Sequence, residues 1–216
     1  ADRYSSAMTL PLIGTSAAPI FVLVLAALFL KEKATRLQVA GTLICVAGIL
    51  LLISGGNLQQ LQQFSLSVGD GWILGAALAF AIYTLLVRRK PKSLSPLAFL
   101  FAIFFIGTLL LLPPFMVDSY NGLTFQWSAD MVLVFLYLGV GASVGAFLSW
   151  NLAIQKIGPA RTALFANLIP VFSTIEAMLI LGEKGTAVVI VSMLVILTGL
   201  AIANGSLLRQ LFLKKM

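Results

Sequence analysis

An all-α membrane protein that crosses the bilayer several times is the fold class this sequence predicts, and three observations carry the prediction. Of the 216 residues, 60% are hydrophobic and only 10% charged, where a soluble domain has roughly a quarter charged and under half apolar. No soluble fold of this length has an interior large enough to hide that much apolar surface. The apolar residues form seven continuous runs, and the cations cluster between them.

In chain order the runs are Leu10–Leu30, Leu37–Ile53, Gly71–Val87, Ser95–Val117, Asp130–Ile154, Thr162–Leu181 and Ala187–Ala203. Each suits a helix spanning the hydrocarbon core, which takes about 17–25 residues. A spanning β-barrel needs short alternating segments instead. Cys45, the single cysteine, lies inside an apolar run. It reads as a small buried apolar side chain, and one thiol forms no internal disulfide. The chain opens at Ala1 without a signal-peptide pattern, so the expectation is a processed chain or a fragment.

Charge sets direction. Twelve of the fourteen cations follow the first, third, fifth and seventh spans: Lys31, Lys33, Arg36; Arg88, Arg89, Lys90, Lys92; Lys156, Arg161; Arg209, Lys214, Lys215. Only Arg3 and Lys184 fall on the other side. Cytoplasmic loops carry the excess of Lys and Arg, which puts the C-terminus in the cytoplasm. Trp72, Tyr120, Phe125 and Trp127 then sit at the outer edge, where amphipathic rings prefer the headgroup zone. The uncharged segment 55–69, with Gln59, Gln60, Gln62 and Gln63, reads as a polar outer loop or a short interfacial helix. Cations dispersed this way form no patch for nucleic acid.

A repeat is visible at an offset of 151 residues. Pro19 and Phe21 then fall on Pro170 and Phe172, and Ala26, Leu28 and Leu30 on Ala177, Leu179 and Leu181. Glu32, Lys33 and Thr35 meet Glu183, Lys184 and Thr186, and Leu43 and Gly48 meet Leu194 and Gly199. That makes ten identities in 36 gap-free positions. The two Glu-Lys connectors lie on opposite faces, so the repeat is inverted and has an odd number of spans. The unit is five helices and the whole is ten, of which seven are present. Residues 1–55 hold the last two helices of the first repeat, 56–68 an outer loop, 69–205 the complete second repeat, and 206–216 a cytoplasmic tail. Inverted repeats are the architecture of many secondary transporters, whose substrates bind near the midplane.

Five stretches carry a resemblance: Pro19 to Glu32; Gly69-Asp70-Gly71, opening a helix that ends in Tyr83 to Arg89; Ser95-Pro96-Leu97; Trp150-Asn151-Leu152-Ala153; and Asn167 to Phe172 with Leu181-Gly182-Glu183. In order and spacing they resemble the EamA-type transporters of the drug/metabolite transporter superfamily. The resemblance covers about residues 5–205. It implies ten helices around a central cavity that opens alternately to the two sides. It also implies a multi-pass protein of the bacterial plasma (inner) membrane that moves amino acids, other metabolites or toxic compounds, often outward. Two departures stand out. The first three helices, which line part of the cavity in the family, are absent, and Lys31 stands where many members have Gly.

Polar residues inside the spans are the functional candidates. Glu176 lies mid-span, where ionisable groups are costly and face a cavity or a partner. It reads as a proton-coupling group or an amine ligand, against a neutral or paired carboxyl that holds helices together. At about 3.6 residues per turn it lies opposite Asn167 unless Pro170 bends the helix, with Ser173 on its own side. Asn167 precedes Pro170 by three, and proline leaves a carbonyl one turn earlier without its donor. Polar groups there line a cavity or satisfy backbone. Pro19 is the symmetry-related bend, with Thr15 and Ser16 beside it. Trp150 is an interfacial anchor or a cavity wall; adjacent Asn151 points about 100° away from it. Tyr83 is a further cavity candidate. Gly139, Gly141 and Gly145, and Gly71, Gly75 and Ala79, read as sites of close helix approach.

The expected substrate cavity is therefore Thr15, Ser16, Pro19, Tyr83, Trp150, Asn151, Asn167 and Pro170, with Glu176 for coupling and no metal or cofactor. Its partners are the lipid bilayer and a small-molecule substrate, with a homodimer left open. An intramembrane enzyme is disfavoured: the chain has no His, no paired Asp motif for Mg²⁺ and no phosphate-binding Gly-Lys-Ser/Thr loop. The expectation is a secondary transporter, working as an exporter, of small organic metabolites or amino acids across the plasma membrane by alternating access. The alternatives are a passive channel and a membrane scaffold or inactive fragment.

Overall fold

Polar residues at the ends of several apolar runs decide where the helix starts. The computed structural model of the chain describes residues 9–32, 34–57, 59, 68–91, 93–120, 128–182 and 185–205, with the backbone alone for 9–13 and 15. Among them, helices follow all seven apolar runs: α1 (Thr9–Phe29), α2 (Arg36–Ser54), α3 (Val68–Arg89), α4 (Pro96–Tyr120), α5 (Ala129–Ile157), α6 (Pro159–Ile180) and α7 (Ala187–Ala203). By length and composition α2 to α6 suffice to cross a membrane; α7 and the stretch Ser16–Phe29 of α1 are shorter apolar helices. Most of the outer loop and all of the tail lie outside the described residues.

Caps explain the boundaries. The Thr35 hydroxyl accepts the Gln38 N–H at 3.2 Å while the Gln38 side chain accepts the Thr35 N–H at 2.8 Å. This reciprocal box satisfies two donors that an α-helix start leaves over. Thr186, one repeat later, caps α7 by accepting the Val189 N–H at 3.3 Å. Ser95 accepts the Ala98 N–H at 3.1 Å, with Pro96 at the first helical position, where a missing donor costs nothing. Ser128 does the same for Met131 at 3.2 Å.

Two helices are composite. α5 runs as α-helix to Leu136, as π-helix over Tyr137–Ala146, and as α-helix again from Phe147. α6 tightens into a 3₁₀ turn over Phe165–Leu168, just ahead of Pro170. The proline explains that turn. It cannot donate to Ala166, and the Ile169 N–H reaches the Ala166 carbonyl instead. α1 stays α-helical through Pro19.

The chain forms two compact units. In the first, Ala1–Arg88 with Ile157–Met216, the main contact is α2 against α7. Glycines let the two backbones meet. A Cβ on Gly48 would stand 3.0 Å from the Ile196 nitrogen and 3.1 Å from the Ser192 carbonyl. One on Gly199 would stand 2.7 Å from the Gly41 carbonyl and 2.8 Å from the Cys45 nitrogen. Rising numbers on α2 meet falling numbers on α7, so the pair is antiparallel. Leu23, Ala26, Ala160, Leu164, Val171 and Leu200 extend this core. Val22 packs with Ala81, Leu85 and Ala163.

The second unit, Arg89–Lys156, holds α4 and most of α5. There Phe101 stacks on Phe105 at 5.9 Å, and Phe104 meets Phe147 edge-on at 5.5 Å. The glycines of α5 do not make the close approach expected of them. Among the described residues a Cβ on Gly139 would meet nothing within 4 Å, and on Gly141 or Gly145 only Tyr137 or Val140 of the same helix. Gly71 and Gly75 of α3 are equally open.

A buried polar pair at the repeat-equivalent prolines

Pro170 fixes the first half of the candidate site. The 3₁₀ turn it imposes carries Asn167 on a segment that packs against α1. Asn167 is fully buried, and neither its amide nitrogen nor its amide oxygen has a hydrogen-bond partner among the described residues. Leaving such a group buried and unmade costs about 1–3 kcal/mol.

Ser16 supplies the second half. It stands three residues before Pro19, as Asn167 does before Pro170, and 16 and 167 differ by the repeat offset. Ser16 is buried too, and its hydroxyl lacks a partner among the described residues. Pro19 and Pro170 are both buried. The late part of α1 (Leu23, Ala26) packs with the early part of α6 (Ala160, Leu164). The two helices therefore run antiparallel, with Ser16 and Asn167 both near their middles. Two repeat-equivalent polar side chains, desolvated and unsatisfied, can offer hydroxyl and carboxamide groups to a solute, and neither carries charge.

Each remaining candidate has its own surroundings. Tyr83 of α3 is half-buried, its ring 5.9 Å from that of Phe80. Asn151 is fully buried and Trp150 half-buried, both on the last stretch of α5 in the second unit. Thr15 lies in α1, its side chain outside the described set. Glu176 is exposed, in contrast to Asn167 before the proline. A cleft of about 240 Å³ between α6 and α7 is lined by Ile175, Met178, Leu179, Ile190, Met193, Leu194 and Leu197. It has no polar group to orient a solute, so the polar pair is the better candidate.

Sequence reading missed one contact. It took Glu32 and Arg88 as markers of topology, yet they approach to 4.0 Å across helix ends. The Glu-Lys identity of the repeat was a signal that Glu32 does more than solvate a loop.

Known proteins resemble the chain over most of its length. The model of the EamA-like transporter family matches residues 3–54 and 67–205. The uncharacterized transporter YyaM of Bacillus subtilis is 31% identical over 192 residues, 87% of this chain and 61% of that protein. A probable terminal-alkyne amino-acid exporter of Streptantibioticus cattleyicolor is 28% identical over 170 residues, 77% of this chain and 54% of that one. The chain thus spans little more than half the length of these relatives. A crystal structure sharing 20% identity superposes with a TM-score of 0.75, over 96% of this chain and 70% of that one, which shows a common fold. With nearly its whole length matched, the chain belongs to the EamA-like transporter family.

Proposed function

We propose that the chain is the greater part of a secondary transporter that exports a small organic metabolite or amino acid across the plasma membrane by alternating access. One observation carries this reading. Ser16 and Asn167 are equivalent in the two repeats, buried, and without hydrogen-bond partners among the described residues. In a bilayer such groups are retained where they face a ligand or a cavity. Inverted-repeat carriers bind at the repeat interface near the midplane, at breaks in their helices, and the pair sits beside Pro19 and Pro170. The exporter named among the relatives supports an amino-acid-like substrate and outward movement.

In this reading residues 1–55 and 69–205 are parts of two five-helix repeats, and rocking one against the other exposes the pair to each side in turn. Tyr83, in the same compact unit as the pair, adds to the cavity wall. Glu176, exposed beyond the Pro170 turn, serves proton coupling and not direct contact with the solute held at Asn167. The face rich in Lys and Arg is cytoplasmic, by the distribution of those residues.

The test uses the full-length ten-helix protein in proteoliposomes. Uptake of a pool of labelled amino acids and metabolites is followed with and without a pH gradient. Saturable uptake that unlabelled solute competes away is the expected result. Unsaturable flux would mean a channel. No flux through folded protein would leave the membrane architecture without a transport role.

A further inference from the structure

Three helix ends converge on the carboxylate of Glu32, a residue the transport reading leaves unused. At the end of α1 the N–H groups of Leu30 and Glu32 both donate to the Ala26 carbonyl, at 3.0 and 3.2 Å. Between them Lys31 takes φ +56. This turn ends the helix, satisfies the Ala26 carbonyl twice over and aims Glu32. The Glu32 carboxylate oxygens lie 3.7 and 3.9 Å from where a Cβ on Gly158 would stand. Gly158, at φ +87, precedes α6 and has no side chain to cap it. The carboxylate thus sits at the positive end of α6, where leftover N–H groups favour an anion. Arg88, at the end of α3, brings its Nε to 4.0 Å from the same carboxylate.

Both side chains of that ion pair are about 40% exposed, so the pair alone adds little stability. Its position matters more. Between it and the level of Ser16 and Asn167 the contact of α1 with α6 is made by Leu23, Ala26, Ala160, Ala163 and Leu164, all buried and mostly small. These apolar contacts are non-directional.

We propose that Glu32 is a positioning residue that latches the ends of α1 and α6 together at the basic face. Engaged, it keeps the Ser16–Asn167 level shut from that face; released, it lets the mouth open. The proposal rests on the transport reading.

The test is one-sided accessibility in the full-length protein, in proteoliposomes. Every native cysteine is replaced, Cys45 by Ala, and Ala163→Cys places one buried thiol inside the mouth. A membrane-impermeant maleimide is added from either side, with melting temperature as the check on folding. Glu32→Gln should speed labelling from the basic face about fivefold, as a shifted open population requires, with no rise from the other face. Glu32→Asp, which keeps the charge, should stay closer to the parent rate. Exchanging the charges, Glu32→Arg with Arg88→Glu, puts a cation at the α6 N-terminus and should leave labelling fast. A parent-like rate in that exchange, or unchanged labelling in Glu32→Gln, overturns the latch. If Glu32→Gln does not fold, Arg88→Gln should move the basic-face rate the same way, and no movement overturns it. Uptake is scored separately on the same vesicles. Uptake with unmoved labelling removes the latch alone, whereas absent uptake with a one-sided labelling response removes the transport reading and leaves a closing contact.

Discussion

The Cys45 thiol donates to the carbonyl of Ile196 at 3.4 Å, and the two residues stand 151 positions apart, the offset that lays one repeat over the other. Cys45 and Ile196 are therefore equivalent residues that touch. A pseudo-twofold axis must pass between them. The surrounding contacts obey it. Gly48 meets Ser192 and Ile196, while its equivalent Gly199 meets Gly41 and Cys45, the counterparts of those two. Lipid offers no hydrophobic drive for helix pairing, so close backbone approach through small residues does the work.

That seam gives a differential prediction. Gly199→Ala places a methyl against the Gly41 carbonyl and the Cys45 nitrogen, backbone atoms that cannot move aside. The expected loss is about 1–3 kcal/mol, read as a lower melting temperature of the purified chain in detergent. Gly75→Ala meets nothing within 4 Å among the described residues and should gain up to about 1 kcal/mol from helix propensity. Equal effects at the two sites would mean that the α2–α7 seam does not form.

A second prediction comes from the ends of α1 and α6. Lys31 holds φ +56, and its repeat equivalent Gly182 holds φ +68. A non-glycine residue in the left-handed region costs about 1–2 kcal/mol. Lys31→Gly should therefore raise the melting temperature, and Gly182→Ala should lower it. A drop for both would mean that the lysine side chain outweighs its backbone strain.

Why some features were legible and others were not follows from the kind of signal each leaves. Run length announced the helices, because spanning is a local property; the caps at Thr35, Ser95 and Thr186 are just as local but went unread. Pro170 announced a disturbance one turn earlier, though not its 3₁₀ form. The Gly48–Gly199 identity was visible in the repeat, but a glycine only permits close approach, and a partner must arrive to use it. Gly139 and Gly75 have the same local signal without such a partner among the described residues. The π stretch at Tyr137–Ala146 has no local sequence signal such as a proline. Glu32 with Arg88 and Gly158 is a tertiary meeting of residues at three helix ends, which periodicity does not reach.

Asn167 separates a binding role from a structural one. Its carboxamide is buried without a partner among the described residues, so Asn167→Leu removes an unmet desolvation cost at nearly constant volume. Stability should hold or rise by about 1 kcal/mol, while uptake falls tenfold or more. Ser16→Ala should act in the same direction with a smaller loss. Thermal unfolding and uptake of the same preparations check both. A leucine variant that is less stable, with its remaining folded fraction transporting normally, would make Asn167 structural.

Glu176 is the last case. An ionised carboxylate deep in a span costs about 2.5–3.5 kcal/mol by insertion, and this one is exposed on α6 beyond Pro170. Such a cost is retained where the group can lose and regain its proton as its surroundings change between two states. Gln has the same shape and hydrogen-bonding reach but cannot titrate. Glu176→Gln should thus abolish uptake driven by a pH gradient and leave exchange of internal for external substrate intact, since exchange moves no net proton. Measuring both modes on one set of vesicles decides it. Loss of both would place Glu176 among the solute's own contacts, and unchanged pH-driven uptake would remove it from the mechanism.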